Sequence, residues 1–153
     1  MLFRSLGVPT VVDADALVLL GPGMLSATAV LTPHEGEMAA LERAFGLSAD
    51  APKHARALAL AQASGAVVLF KGPDSVIAAP DGRVLHAPRA PSWLSVAGTG
   101  DVLAGLTASR LAVHRDPFRA AFEGLWLHGE SARLAGPAFT AGDVARTVSK
   151  AFA

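Results

Sequence analysis

Cysteine and tyrosine are absent from this 153-residue sequence, and only 17% of its residues are charged. Without cysteine there is no disulfide framework and no thiolate metal site, so a reducing compartment, the cytoplasm, is expected. The 13 basic and 13 acidic residues cancel. Neither a nucleic-acid-binding surface nor an acidic tail is therefore expected, and a small molecule is the expected partner. No apolar run reaches the roughly 18 residues of a membrane span, and Met1-Leu-Phe-Arg4 is too brief for a signal peptide, so no membrane association is expected. What the chain does have is 52% hydrophobic residues, enough at this length for one core without disulfide or metal staples.

The pattern alternates strands and helices. Val11-Val12-Asp13 reads as a short buried strand whose carboxyl end carries Asp13 and Asp15, and Ala29–Thr32 as a second, stopped by Pro33. A helix is expected from Glu37 to Phe45, ended by Gly46, and another from Pro52 to about Ala63 with Gly65 as C-cap. Ala66–Lys71 is the clearest strand. Ser75–Ala79 and Arg83–His86 flank Pro-Asp-Gly and predict a hairpin. Helices over Gly100–Val113, Pro117–Ala135 and Ala141–Phe152 complete the reading. The fold class is thus α/β, a mainly parallel sheet flanked by helices with a small β-hairpin, all in one domain. In such folds ligands bind beyond the carboxyl ends of the strands, here at Asp13, Asp15, Thr32 to Glu37, and Lys71-Gly72.

Chemistry gathers at those ends. In Ala97-Gly98-Thr99-Gly100-Asp101, glycines precede a helix whose only polar stripe is Thr107, Arg110 and His114, so most of that helix is expected to be buried. Its first-turn N–H groups then form an anion cradle over Gly98, Thr99 and Gly100. Asp101 could simply favour the helix start, or it could take a proton from a hydroxyl attacking a bound phosphate. In Lys71-Gly72-Pro73-Asp74-Ser75, a forced turn offers the Ser75 hydroxyl and N–H, and the Lys71 ammonium, to an anion. In Thr32-Pro-His34-Glu35-Gly-Glu37, His34 could bond a ligand and a Glu could hold Mg2+ through water, or both acids could merely decorate a helix start. Asp13-Ala-Asp15 has the same two readings: a Mg2+ and water site, or Asp15 capping a turn through Leu17. One His with two Glu is a poor zinc set.

Along the helix from Pro117, Arg119, Glu123, Glu130 and Arg133 form a polar stripe with Trp126 in its middle. An exposed Trp there suggests a contact with another subunit or a further part of the protein. Ala121, Gly124, His128 and Ala132 lie opposite, a small-residue seam in which His128 is expected as a hydrogen-bonded core residue.

Five segments occur in a telling order: Val12-Asp-Ala-Asp-Ala-Leu17, Leu31-Thr-Pro-His-Glu-Gly-Glu-Met38, Phe70-Lys-Gly-Pro-Asp-Ser-Val-Ile77, Ala97-Gly-Thr-Gly-Asp-Val-Leu-Ala-Gly105 and Trp126-Leu-His-Gly129. Together they resemble the ADP- or ATP-dependent NAD(P)H-hydrate dehydratases of the ribokinase-like superfamily, which often form the C-terminal domain of a bifunctional repair protein. The resemblance implies a ribokinase-like fold and restoration of NADH or NADPH from the S-form of its hydrate; the alternatives are another ribokinase-like kinase, acting on a thiazole or pyrimidine alcohol, and a truncated nucleotide-binding module without catalysis. It implies Asp101 as the base on the hydrate hydroxyl, which takes phosphate from the nucleotide and leaves as phosphate on elimination. It further implies that Lys71, Gly72, Pro73, Asp74, Ser75 and Gly98 to Gly100 meet ADP or ATP, that His34 and Asp101 meet the hydrate, and that Glu37 organises Mg2+ through water. Family members usually carry Thr in place of Ser75, and an Asn/Gly-containing loop where this chain has Ala87-Pro-Arg-Ala-Pro-Ser-Trp93, which makes Trp93 a candidate packing surface. A complete family domain also has further strands ahead of the Asp-Ala-Asp-Ala-Leu strand, so this chain resembles the C-terminal part of that domain. An open sheet edge is expected to drive homo-oligomer formation or association with an N-terminal portion.

Overall fold

The computed structural model describes residues 7–152; the expectation drawn from Met1 to Arg4 lies outside the described residues. Five strands form one sheet in the order β1 (Thr10–Val12), β2 (Ala29–Leu31), β3 (Val67–Phe70), β4 (Val76–Ala78) and β5 (Val84–His86). β1 to β3 run parallel, with Val11 opposite Val30 and Leu31 opposite Val68. β3, β4 and β5 are antiparallel, so the sheet is mixed. The expected hairpin joins β4 and β5 at Gly82, whose φ of 98° suits glycine. A second reversal, at Lys71–Ser75, is too short for a parallel crossover and turns β3 into β4.

β3 shows why both faces are covered. All four of its residues are buried: Val68 and Phe70 pack with Met38, Leu41 and Leu60, while Val67 and Leu69 pack with Leu103, Leu111 and Ala121. The first face is covered by α1 (Glu35–Phe45) and α2 (Lys53–Ser64), the second by α3 (Thr99–His114) and α4 (Pro117–Ala135), with α5 (Ala141–Ala151) docked on α4. Gly46 and Gly65 end α1 and α2 in the left-handed conformation, as their sequence positions predict. Two details depart from the sequence reading. Helix α1 begins two residues earlier, because His34 caps it, and a 3-10 helix over Ala14–Leu19 replaces a simple turn after β1.

Helix α3 departs further. Thr107 is fully buried and Arg110 and His114 are half-buried, while Gly105, Ala108, Ala112 and Val113 are exposed. The expectation that its polar stripe alone meets water is therefore corrected. Its partner α4 explains the inversion: Gly124 seats on Thr107, and Glu123 receives hydrogen bonds from Arg110 (2.8 Å) and pairs with His114 (2.7 Å). Polar residues turn inward because α4 offers them a carboxylate. Arg119, Arg110 and His114 together hold the Glu123 carboxyl down at about 2. Trp126 is exposed and His128 buried, as expected, and Trp93 is also exposed.

Candidate functional site

The parallel strands end at one edge of the sheet, and α3 returns its N-terminus to that edge. There Asp13 follows β1, Thr32 follows β2 and Lys71 follows β3. The buried Thr32 hydroxyl lies 2.8 Å from Asp13 Oδ1 and 3.2 Å from the Val12 carbonyl, so it fixes the carboxylate. The Lys71 ammonium donates to the same Asp13 oxygen at 2.8 Å and lies 3.7 Å from Glu37 Oε2. Two largely buried carboxylates therefore converge on one cation. Ala14, next to Asp13, holds a left-handed φ of 51°, a conformation that costs a non-glycine residue about 1 kcal/mol and recurs where function fixes the backbone. Asp15 is exposed and is not part of this cluster.

The helix-start reading of Glu37 holds, with His34 as its partner. Their capping box is reciprocal: the Glu37 N–H donates to His34 Nδ1 (3.2 Å) and the His34 N–H donates to Glu37 Oε2 (2.8 Å). Because Nδ1 accepts, the ring proton is assigned to Nε2, on a side chain 59% exposed. Gly36 makes room for that ring, since a Cβ there would lie 3.1 Å from His34 Cε1. Glu35 is drawn off by Arg56 (2.7 Å).

The Lys71–Ser75 turn is closed from within. Ser75 is buried; its hydroxyl donates to the Gly72 carbonyl (2.9 Å) and accepts from the Gly72 N–H (3.2 Å). The expectation that this hydroxyl is offered to an anion is thus corrected: it is committed to the turn. Pro73 and Asp74 are exposed, and the Pro73 carbonyl accepts from Ala90 N–H. Lys53 Nζ bonds Asp74 Oδ1 (2.8 Å) and the Lys71 carbonyl (3.2 Å), a contact that nothing in the residue spacing announced.

The Gly98–Asp101 turn is open at the front and tied at the back. Gly98 caps α3 with φ 86°, and the helical ladder begins with the Val102 N–H on the Gly98 carbonyl. The N–H groups of Gly100 and Asp101 precede that first bond and have no helical acceptor. Thr99 is buried, with its hydroxyl 2.7 Å from the Leu94 carbonyl and 2.8 Å from that of Val96. Gly100 faces the cation, a Cβ there lying 3.6 Å from Lys71 Nζ, while Asp101 is exposed beside it. Behind Thr99 sits His128, hydrogen-bonded to the Thr99 backbone. Burial pushes its ring down to about 4, aided by the Lys71 charge and opposed by that bond, and its Nε2 has no protein partner.

The structure thus gathers Asp13, Glu37, Lys71, Gly100 and Asp101 at one edge, with His34 on the rim at the start of α1. Asp13 belongs fully to the cluster, although residue spacing alone does not prefer it over Asp15. Two carboxylates beside one ammonium suit Mg2+, which takes one or two protein carboxylates and completes its shell with water and phosphate oxygens. Among the described residues no group of three or more His, Asp or Glu forms an all-protein metal cage.

Comparison with known proteins identifies the family and the fold. Over 93% of its length the chain is 36% identical to the bifunctional NAD(P)H-hydrate repair enzyme Nnr of Mycobacterium leprae, of which it covers 30%. Over 90% of its length it is 39% identical to the ADP-dependent (S)-NAD(P)H-hydrate dehydratase of Xanthomonas campestris, covering 48% of that protein. Its fold is similar to that of an ADP/ATP-dependent NAD(P)H-hydrate dehydratase from Bacillus subtilis co-crystallised with ATP/Mg2+, with TM-score 0.82 and 28% identity over 95% of this chain and 55% of that one. The chain spans about half or less of the length of these relatives. The architecture is the ribokinase-like α/β fold. The family profile described as NAD(P)H-hydrate dehydratase matches residues 2–152, and the chain belongs to that family.

Proposed function

We propose that this chain carries the nucleotide end and one wall of the substrate end of an NAD(P)H-hydrate dehydratase site, using ADP or ATP with Mg2+ to convert S-NADH or S-NADPH hydrate to the reduced dinucleotide. The observation that supports it is the meeting of the Lys71 ammonium, the Asp13 and Glu37 carboxylates and the open first turn of α3 at one sheet edge. In this reading the Gly98–Gly100 turn and Lys71 receive phosphate oxygens, and the Lys71–Ser75 turn frames the nucleotide. Asp13 and Glu37 would hold Mg2+, Glu37 through water; the ion would neutralise charge on the phosphates.

The exposed Asp101 carboxylate takes the proton of the hydrate hydroxyl, and the hydroxyl oxygen bonds to the terminal phosphorus as the bond from phosphorus to the nucleotide oxygen breaks. The C–O bond to the hydrate ring then breaks, phosphate leaves with the bonding pair, and loss of a ring proton restores the double bond. His34 Nε2–H contacts the hydrate.

The open edge belongs to the proposal. β1 pairs only with β2 among the described strands, and an apolar groove between β1 and α3, lined by Pro9, Val11, Leu111 and Ala112, lies at the end of α3 opposite Asp101. An N-terminal portion of the domain, or a second copy, covers it. The cytoplasm is the compartment proposed, from the absence of cysteine.

A second reading is a nucleotide-binding module without catalysis, since the Lys71 ammonium and the open first turn of α3 would hold a phosphate whether or not a hydrate is bound. One assay separates the two: recovery of reduced-nicotinamide absorbance from S-NADH hydrate with ADP or ATP and Mg2+. Weak recovery is expected from this chain, and Asp101→Asn is expected to lower its rate at least about 100-fold with the melting temperature unchanged. Nucleotide binding without recovery, in a folded chain, selects the module. Recovery undiminished in the Asp101→Asn variant sinks the assignment of the base.

A further inference from the structure

The Lys71–Ser75 turn presents a problem of charge. On the reading above it frames a nucleotide, yet its tip carries the Asp74 carboxylate, 73% exposed and of the same sign as a phosphate. A bare carboxylate there disfavours an incoming anion.

Lys53 answers it from the neighbouring helix. It is the first residue of α2, where an ammonium opposes the helix dipole, and that first turn has no acidic residue and no side-chain cap. A residue placed against a local rule needs a compensating task. Its ammonium lies 2.8 Å from Asp74 Oδ1, 3.2 Å from the Lys71 carbonyl and 4.7 Å from the centre of the Phe70 ring. It also fills the space beside Gly72, where a Cβ would collide with Nζ. Along β3, Phe70 joins the core on the α2 face and Leu69 the core on the α3 face. Lys71 therefore points to the α3 side, toward Gly100, and the turn has one ammonium on each flank. The two cations divide the work: Lys71 is paired with Asp13 and Glu37, and Lys53 with Asp74. Lys53, with a lesser contribution from Arg89, holds the Asp74 carboxyl below the usual carboxylate range.

We propose that Lys53 is a positioning residue for the nucleotide: it masks the Asp74 carboxylate and pins the Lys71 carbonyl, so that the turn accepts phosphate without Lys53 itself touching it. This rests on the nucleotide reading of the turn.

The test is calorimetric titration of ADP with Mg2+ into the wild-type chain and the variants Lys53→Met, Lys53→Arg, Asp74→Asn and Lys53→Met/Asp74→Asn, with circular dichroism to establish folding. Lys53→Met is expected to weaken ADP binding by about fivefold to tenfold, Lys53→Arg to stay within about twofold of wild type, and the double variant to recover most of the loss. A double variant as weak as Lys53→Met, or a Lys53→Met variant that binds like wild type, overturns the proposal. In parallel, NMR titration of the Asp74 side-chain carboxyl is expected to move up in pH in Lys53→Met; no movement overturns the masking directly. If the wild-type chain binds no ADP, the nucleotide reading falls. The carboxyl titration then distinguishes that failure from a failure of the Lys53–Asp74 pairing.

Discussion

Two turns face each other across the Lys71 ammonium, and they are built in opposite ways. Lys71–Ser75 spends its polar groups on itself: the Ser75 hydroxyl both gives to and takes from Gly72, and Lys53 braces the Lys71 carbonyl and Asp74. Gly98–Asp101 is anchored from behind, through the Thr99 hydroxyl and His128, and leaves the leading N–H groups of α3 without a helical acceptor. A closed turn supplies a rigid frame, whereas an open turn supplies donors whose bonds are not yet made. A phosphate site needs both, because donors organised before the ligand arrives cost little to reorganise when it binds.

The back of the open turn is where the contrast breaks hardest. α4 approaches α3 so closely that a Cβ at Gly124 would lie 2.6 Å from Thr107 Oγ1 and 2.9 Å from its Cα and N. Gly124→Ala is expected to destabilise by about 3 kcal/mol, read from urea denaturation, because backbone rather than a flexible tip must move. His128 comes next, with an effect confined to a pH window. Its ring titrates at about 4 in the fold against 6.5 unfolded, so the unfolded chain binds the extra proton between those values. Stability is full above pH 6.5 and falls by up to about 3 kcal/mol as pH drops to 4. His128→Phe should flatten that slope in pH-dependent denaturation, while an unchanged slope would show that His128 is not its source.

The smallest effects compare the two turns directly. Gly98→Ala is expected to cost about 1 to 2 kcal/mol for its left-handed φ of 86°, and Ser75→Ala about 1 kcal/mol for the lost turn bonds. Titration with ADP and Mg2+ should nevertheless separate them, Gly98→Ala losing more affinity than Ser75→Ala. Equal losses would erase the distinction between donor turn and frame.

Much of this was legible in the residues. β3, the Gly46 and Gly65 caps, the Gly82 hairpin, all of α4 and the glycine turn ahead of Asp101 follow from periodicity and local backbone rules. The burial of α3 was not legible, because a polar stripe marks a wet face only until a neighbouring helix brings it a partner. Glu123 did that for Arg110 and His114. Nor could spacing separate Asp13 from Asp15, or lift Lys53 above any other lysine. Those choices depend on which strand end lies beside which, across 58 residues from Asp13 to Lys71 and 21 from Lys53 to Asp74.

The sequence by itself determined the α/β elements, their breaks, the family membership and the glycine turn, since each depends on residues adjacent along the chain or on motifs in fixed order. Only the tertiary structure decided that Lys71 is shared between Asp13 and Glu37, that Ser75 closes its own turn, that His128 stands behind the glycine turn and that Lys53 pairs with Asp74. The physical reason is range: backbone preference acts over a few residues, whereas charge pairing and desolvation act between whatever groups packing brings within a few ångströms.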